Sequence, residues 1–452
     1  MKYQPHEYQK RATQFIIDNR YCALFLDMGL GKTVSTLTAI DILKNDYLEI
    51  DKVLVIAPKS VALNTWSGET AKWDHLKKLR ISVAMGTAAQ RTKAIERDAD
   101  IYVTNRDNVK WIVDYFKKEP WPFDTVVLDE SSSFKNPSSQ RFKALRKIRP
   151  QLRRVIELTG TPSPNGLMDL WPQIWLLDMG ERLGRTLGSY RSEFFTAGRR
   201  NGAVVYDWIA RPEARQRISK RLADISMSMQ ASDYLDMPDV IDGGLTLALP
   251  PDEMRDYQAF QKEQLMQLDN TDIEAVTAAA LTNKLLQYTG GALYDDQHNW
   301  HEVSTAKLEA LQDIVESTDE SVLIYYQYQS EKDRILKMLP DAVTFTGEPE
   351  LLESWNAGKI RLMLAHPASV AYGLNMQAGG HIIVWYTPTW NLELYMQANA
   401  RLHRQGQTKP VVIYHLIASG TIDERVMQAL NCKNGSQAAL LKHIKELRES
   451  IQ

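Results

Sequence analysis

Five short runs rich in Val, Ile and Leu punctuate the start of the chain: Tyr21–Leu26, Lys52–Ala57, Asp100–Thr104, Thr125–Leu128 and Val155–Leu158. They do not alternate apolar with polar residues. A strand that is apolar on both faces belongs to a parallel sheet covered by helices on both sides. Each run passes directly into polar or loop residues: Asp27-Met28-Gly29, Pro58-Lys59-Ser60, Asn105-Arg106-Asp107, Asp129-Glu130 and Thr159-Gly160-Thr161. Open α/β sheets bind ligands beyond the carboxyl ends of their strands, so all five tails are expected on the functional edge. A basic, helical-looking stretch (Asp178–Asp236) follows, then a Pro250-Pro251 break and a helical Asp252–Tyr288. The strand pattern then resumes with Val322–Tyr326, Arg361–Ala365, His381–Tyr386 and Val411–His415, and Thr421–Leu430 and Ser436–Arg448 read as terminal helices. At 452 residues the chain exceeds what one core organises. The expected fold is α/β, with two parallel-sheet lobes in tandem and helical insertions. The first lobe spans 1–178, insertions and linker 179–300, the second lobe 301–425, and a C-terminal helix 426–452.

The first run leads into Met28-Gly29-Leu30-Gly31-Lys32-Thr33. A glycine loop ending in Lys-Thr, between a strand and a helix, cradles phosphate. Its backbone N–H groups face the anion, the lysine neutralises the outer phosphates and the threonine hydroxyl holds Mg²⁺. The full pattern has a glycine five residues before Gly31, where this chain has Leu26; Gly29-x-Gly31-Lys32-Thr33 remains. Asp129-Glu130 close the fourth run. Mg²⁺ prefers oxygen ligands, so Asp129 suits its coordination sphere. Glu130 would orient and deprotonate the attacking water. Paired acids at a strand end are otherwise commonly a turn; the upstream glycine loop favours the catalytic reading. Arg401 and Arg404 lie in the string Gln397–Gln407. Arginines three apart on a helix share a face, and phosphoryl transfer gains from guanidinium groups meeting charge on the γ-phosphate. Outside such a string they would be surface charge.

Composition narrows the class. Apolar content of 44% and charged content of 24% are those of a globular protein. Cys22 and Cys432 cannot build a disulfide framework, suit a reducing compartment and are expected to be buried thiols. Met1–Arg11 is too polar for a signal peptide, and no apolar run approaches the roughly 18 residues that span a bilayer. His298, His301, His403 and His415 lack zinc-ligand spacing with the cysteines, so no zinc site is expected. The net charge of −2 does not advertise a nucleic-acid partner, but the distribution is uneven. Arg182–Arg221 holds ten Lys/Arg against three Asp/Glu, and Arg141–Arg154 is also basic. Each stretch reads either as phosphate contacts or as a solvated helix surface. Trp66 and Trp73 could stack on bases, yet a spacing of seven places them on one helix face and favours core packing.

Taken in order, the strings resemble those of superfamily 2 ATPases of the Swi/Snf type over nearly the whole chain. Tyr8-Gln9 resembles the family's adenine-recognising glutamine, and Asp27–Thr33 its first motif. Ala57-Pro58-Lys59-Ser60-Val61 with Trp66 and Trp73 resembles the next. Asp129-Glu130 with Phe134-Lys135-Asn136 resembles the second motif, and Leu158–Pro162 with Asn165 the third. Gly373–Gln377 with Trp390-Asn391 resembles the fifth, and His403-Arg404-x-Gly406-Gln407 the sixth. Its final glutamine favours this family over RNA-unwinding relatives. Three departures stand out. The stretch Thr346–Trp355 is short beside the usual loop. Ser131-Ser132 replace the usual Ala-His, which would alter coupling of hydrolysis to DNA, and Thr387 stands where an aspartate is common.

The resemblance implies two RecA-like lobes with ATP and Mg²⁺ in the cleft between them. Gln9, Gly29, Gly31, Lys32, Thr33, Gly373 and Gln397 would bind nucleotide, and Thr33 and Asp129 the metal. Lys32, Asp129, Glu130, Arg401 and Arg404 would be catalytic. Lys59, Ser60, Thr104, Asn105, Lys135, Asn136, Gly160 and Thr161 on lobe one would grip a DNA backbone. Trp390 and the surroundings of Tyr328-Gln329 and Gly373 on lobe two would grip it further along. The implied activity is ATP-dependent, sequence-independent translocation on double-stranded DNA. A strand-separating or annealing helicase, and a nucleotide-gated DNA-binding scaffold with weak turnover, stay open as alternatives. The chain is nearly all motor, which leans toward a monomeric cytoplasmic protein of a bacterial cell or phage-infected host, with no protein partner readable.

Overall fold

The structure is a computed structural model that describes all residues except 202–203, 206, 236, 269–273, 371–373 and 450–452. Side-chain surroundings are described for the remainder apart from 201, 204, 264–268, 274–279, 438–440 and 442–449. The chain divides into two compact units, residues 1–235 with 433–452, and residues 236–432.

The first unit is built on seven strands: β1 (Tyr21–Leu26), β2 (Val53–Ala57), β3 (Ile81–Val83), β4 (Ile101–Asn105), β5 (Thr125–Asp129), β6 (Arg154–Thr159) and β7 (Ser226–Met229). They form one parallel sheet in the order β7-β1-β6-β5-β2-β4-β3. All five apolar runs are strands of this sheet, and their polar tails share its carboxyl edge. β7 was hidden in a stretch with little strand pattern because it reads Ser-Met-Ser-Met. Its residues are buried nonetheless, and the Ser226 hydroxyl donates to the Leu222 carbonyl at 2.6 Å, so burial leaves no orphan there.

Part of each basic stretch is taken up by the fold. Arg149 and Arg154 are buried. Arg149 donates to the carbonyls of Leu176 and Leu177, at the end of helix Leu170–Asp178. Arg154 donates to Ile16, Ile17 and Asn19 carbonyls, at the end of helix Glu7–Asp18. Cations at helix carboxyl ends satisfy the last carbonyls and favour the helix dipole. Within Arg182–Arg221, Arg182 pairs with Asp178 and Asp224, Arg217 and Arg221 with Glu193, and Arg199 with Asp207. These pairs take four of the ten cations of that stretch.

The second unit holds β8 (Val240–Asp242), β9 (Leu245–Leu247), β10 (Val322–Tyr325), β11 (Val343–Thr344), β12 (Leu362–Ala365), β13 (Ile382–Trp385) and β14 (Val411–Ala418). Their parallel order is β8-β14-β13-β10-β12-β11, with β9 also on β14. Helices Pro251–Leu268 and Glu274–Thr289 follow the proline pair, and a helix at Ile422–Glu449 ends the described chain. Cys22 is buried as expected, whereas Cys432, on that last helix, is exposed. No helix among the described residues is long and apolar enough to cross a membrane. Two parallel α/β sheets in tandem thus make up the fold, each with the helices and topology of a RecA-like lobe.

Candidate active site

The glycine loop joins β1 to helix Lys32–Asp41, with Gly31 as the residue before the helix. Gly29 and Gly31 have φ of 86° and 71°, a region that side-chain-bearing residues avoid. Gly31 is also required by crowding. A Cβ there would collide with Nε2 of Gln9 and lie 3.2 Å from Cγ1 of Val34. Gln9 is thereby placed on the loop, and its Oε1 accepts from the His6 backbone N–H at 3.0 Å. Lys32 Nζ lies along the loop and donates to the carbonyls of Leu26 and Asp27 at 2.7 and 3.3 Å. The Asp27 carboxylate accepts from the Ala231 N–H at 3.0 Å, so the chain leaving β7 ties down the start of the loop. Gly160 packs close as well: a Cβ there would sit 3.2 Å from the Leu26 carbonyl oxygen. The free N–H groups of the helix start, with the helix dipole behind them, make this an anion cradle.

Asp129 ends β5 and is buried. Its Oδ2 accepts from the indole N–H of Trp66 at 3.0 Å. Burial pushes the Asp129 carboxyl up, while the Trp66 N–H and then the Lys32 charge oppose it. β1 and β5 both flank β6 in one parallel sheet, so the glycine loop and the strand-end acid leave the same carboxyl edge. Trp66 is fully buried, as core packing required. No spacing rule indicates that its N–H also holds the acid. Trp73 does not share its helix face: helix Trp66–Lys72 ends before it, and its indole N–H donates to Glu69 at 2.6 Å. The Asp129 carboxylate and the Thr33 hydroxyl would offer a metal oxygen donors of the kind Mg²⁺ takes. The metal so held would offset phosphate charge during transfer.

Glu130 sits in the left-handed region, φ 54° and ψ 61°, which costs a residue with a side chain about 1–3 kcal/mol. Strain of this kind collects at active sites. Ser131 and Ser132 are fully buried. The Ser131 hydroxyl donates to Gln173 Oε1 at 2.9 Å, and Gln173 Nε2 donates to the carbonyls of Pro162 and Asp169 at 2.7 and 2.8 Å. A glutamine that no motif marks therefore ties the turn after the acids to the turn Thr159–Pro162.

The expected DNA-contact residues of this unit separate into two groups. Lys59, Ser60 and Asn136 are exposed at the carboxyl edge, and Lys135 is half-buried. Thr104, Asn105, Gly160 and Thr161 are buried. The Thr104 hydroxyl donates to the Ala84 carbonyl at 2.9 Å, Asn105 Nδ2 donates to Asp107 at 3.3 Å, and the Thr161 N–H donates to the Thr159 hydroxyl at 3.0 Å. These side chains shape the loops from within.

In the second unit the string Gln397–Gln407 is helical only as far as Asn399. Arg401 and Arg404 occupy the turns beyond, so a shared helix face does not unite them. A shared acceptor does: Nη1 of each donates to the Leu374 carbonyl, at 2.9 and 3.0 Å. Arg401 Nε also donates to the Gln397 carbonyl at 2.9 Å. Burial lowers the Arg404 guanidinium. The helix end feeding these turns is pinned by the Tyr325 hydroxyl on the Ala398 carbonyl (2.8 Å) and the Trp385 N–H on Asn399 Oδ1 (2.9 Å). Gln407 Nε2 donates to the carbonyls of Gln377 and Gly380 at 3.1 and 2.9 Å, while its Oε1 accepts from the Thr408 and Lys409 N–H groups. It is the clasp of the loop. The Gln397 side chain is buried in its helix, with Nε2 donating to Glu393 at 3.4 Å. Trp390 is half-buried just ahead of that helix. Gly373 lies outside the described residues.

Thr387, the departure from an expected aspartate, is buried and donates to Glu331 Oε1 at 2.7 Å. Burial pushes the Glu331 carboxyl up, and the Thr387 hydroxyl opposes it. An aspartate at 387 would set two carboxylates together without water.

Comparison with known proteins agrees with this geometry. The chain matches the SNF2-related domain over residues 8–289 and the helicase conserved C-terminal domain over residues 306–406. It is 38% identical over 454 residues to protein p41 of Acyrthosiphon pisum secondary endosymbiont phage 1, covering 98% of each. It is 26% identical to an uncharacterized ATP-dependent helicase of Mycoplasma genitalium, covering 94% of this chain and 41% of that protein. A Sulfolobus solfataricus SWI2/SNF2 ATPase core in complex with double-stranded DNA aligns with 99% of this chain and 97% of its own, at 22% identity and a TM-score of 0.46. The SNF2-related match spans more than half the chain, and on that ground the protein belongs to the SNF2-related family of superfamily 2 helicase-like ATPases.

Proposed function

We propose that this protein is an ATP-driven translocase on double-stranded DNA that does not read sequence. A two-glycine loop leaving β1 and a buried Asp129 ending β5, both at the carboxyl edge of one parallel sheet, are the observation that carries the reading. Gln9 recognises adenine, the Gly29–Thr33 loop holds the triphosphate, and Thr33 and Asp129 hold Mg²⁺. Glu130 takes the proton of the attacking water. Arg401 and Arg404, which share one carbonyl in the second unit, meet the γ-phosphate when ATP draws the units together. ATP favours the closed arrangement by its extra contacts there, and hydrolysis releases it. Lys59, Ser60, Lys135 and Asn136, at the carboxyl edge of the first sheet, grip the phosphate backbone. Alternate grip and release then moves the protein along the duplex.

ATP hydrolysis measured with duplex DNA, single-stranded DNA and RNA tests this. Duplex DNA should stimulate hydrolysis, and Lys32→Ala and Glu130→Gln should abolish it. Displacement of a third strand from a triplex without unwinding of a fork separates translocation from strand separation. Hydrolysis that stays at baseline with every nucleic acid refutes the proposal.

A further inference from the structure

The sheet of the first unit has a second concavity at its amino edge, opposite the glycine loop. It is lined by Arg20, Glu49, Ile50, Arg153 and Arg154 and encloses about 280 Å³. Arg20 directly precedes β1 and Arg154 opens β6, so the six residues of β1 separate it from the nucleotide site by about 20 Å. Three guanidinium groups here meet one carboxylate. Arg154 is buried, with Nη2 3.3 Å from Glu49 and its other donors on backbone carbonyls. Arg20 and Arg153 are exposed, and neither holds an ion pair among the described residues. Beside Glu49 stand Tyr47 and Leu48, 56% and 81% exposed. Leu48 has a φ of 55°. A bulky apolar residue kept in the left-handed region, and in water, contributes strain and no packing to its own fold.

We propose that this edge docks an acidic peptide segment of a partner protein. Its carboxylates sit between Arg20 and Arg153, and an apolar side chain covers Tyr47 and Leu48. Unpaired guanidinium groups in a concavity take carboxylate or phosphate equally well. The adjoining apolar pair favours peptide, because a phosphodiester backbone offers nothing apolar to set on Leu48. The neighbouring concavity across Arg20 carries Asp18, Asp178, Glu181 and Asp224 with Arg149 and Arg182. That mixture repels further acid and confines the carboxylates to the first concavity. A partner held here leaves the carboxyl edge, with Lys32 and Asp129, open.

Fluorescence anisotropy of the full chain with an amino-labelled Asp-Asp-Asp-Leu-Phe peptide tests the proposal. Saturable binding is expected, weakened at least tenfold by Arg20→Glu or Arg153→Glu and at least threefold by Leu48→Gly. The neutral peptide Asn-Asn-Asn-Leu-Phe should not bind. Arg20→Glu and Leu48→Gly should keep the basal ATP hydrolysis, which controls for folding, and Leu48→Gly should not lower Tm. Absence of saturable binding, or binding that survives both charge reversals, overturns it. Displacement of the peptide by inorganic phosphate or short duplex DNA as readily as by unlabelled peptide also overturns it, because the edge would then be a plain anion site.

Discussion

Trp66→Phe removes the indole N–H from the active site together with the pyrrole part of the ring, and because Trp66 is fully buried it also leaves a small cavity. The indole N–H can only donate, and it donates to Asp129 Oδ2 at 3.0 Å where both groups are buried. A hydrogen bond to a charged acceptor is worth about 1.5–3 kcal/mol, and each 1.4 kcal/mol is roughly tenfold in rate. The variant should lose about ten- to a hundredfold in kcat/KM near neutral pH. The loss should also have a pH signature. Burial already pushes the Asp129 carboxyl up, and the Trp66 N–H is the first group opposing that push. Without it the carboxyl rises further, so the deficit should be largest at the acid end and shrink as pH rises. More Mg²⁺ should be needed for half-maximal rate, while binding of a fluorescent ATP analogue without Mg²⁺ stays unchanged. Steady-state hydrolysis from about pH 6 to 9, with Mg²⁺ titrated at each end, measures all of this. A loss equal at every pH, or a Mg²⁺ requirement that does not move, would mean that Trp66 only fills space.

Two further outcomes follow from the same unit. Glu157, in the middle of β6, is fully buried, and its carboxyl stands well above the ordinary range because of burial and, secondarily, Asp178, with Ser131 and Arg149 opposing. The folded state therefore binds this proton more tightly than the unfolded one, so its stabilising share is present at low pH and declines as pH rises from the ordinary carboxyl value of 4.5 toward the folded one. Glu157→Gln should flatten that decline, by up to about 1.4 kcal/mol per pH unit, in thermal melts compared at acid and alkaline pH; parallel curves for the two proteins would refute it. Glu130→Gly should abolish hydrolysis without lowering Tm, since relief of about 1–3 kcal/mol of left-handed strain offsets the added freedom of glycine in the unfolded chain; a clear drop in Tm would show that the Glu130 side chain holds the fold.

Much of the first sheet could be read from sequence because parallel strands covered on both faces need apolar residues at every position. The five runs are apolar at most positions, with Glu157 a buried exception, and became β1, β2, β4, β5 and β6. β7 escaped because small hydroxyl side chains can be buried once they bond to backbone, as Ser226 does. The site divides in the same way. Gly29, Gly31, Lys32, Asp129 and Glu130 carry their chemistry in their type and in their place just after apolar strands, and the parallel sheet sets those strand ends on one edge. Trp66, Gln173 and the Leu374 carbonyl act through contacts across long sequence separations, to which no spacing rule applies. Charge counts misled for a related reason. Arg149 and Arg154 look like phosphate ligands in one dimension, yet they close helix ends in three.

Two of the departures from the family pattern become intelligible when the neighbours of each residue are considered with it. Ser131 and Thr387 both place a hydroxyl beside a buried acceptor: Gln173 Oε1 at 2.9 Å and Glu331 Oε1 at 2.7 Å. A buried acceptor left without a donor costs about 1–3 kcal/mol. The usual alanine at 131 would leave Gln173 without this donor, and an aspartate at 387 would add repulsion to burial at Glu331. In each case the substituted residue and its neighbour form a matched pair, and an exchange at one position alone would be unfavourable. Ser132, where the family has histidine, is also fully buried. The link from the acids to the third motif therefore runs in this chain through Ser131 and Gln173 to the Pro162 carbonyl. That link is hydrogen-bonded from the Ser131 hydroxyl to the Pro162 carbonyl and uses no histidine.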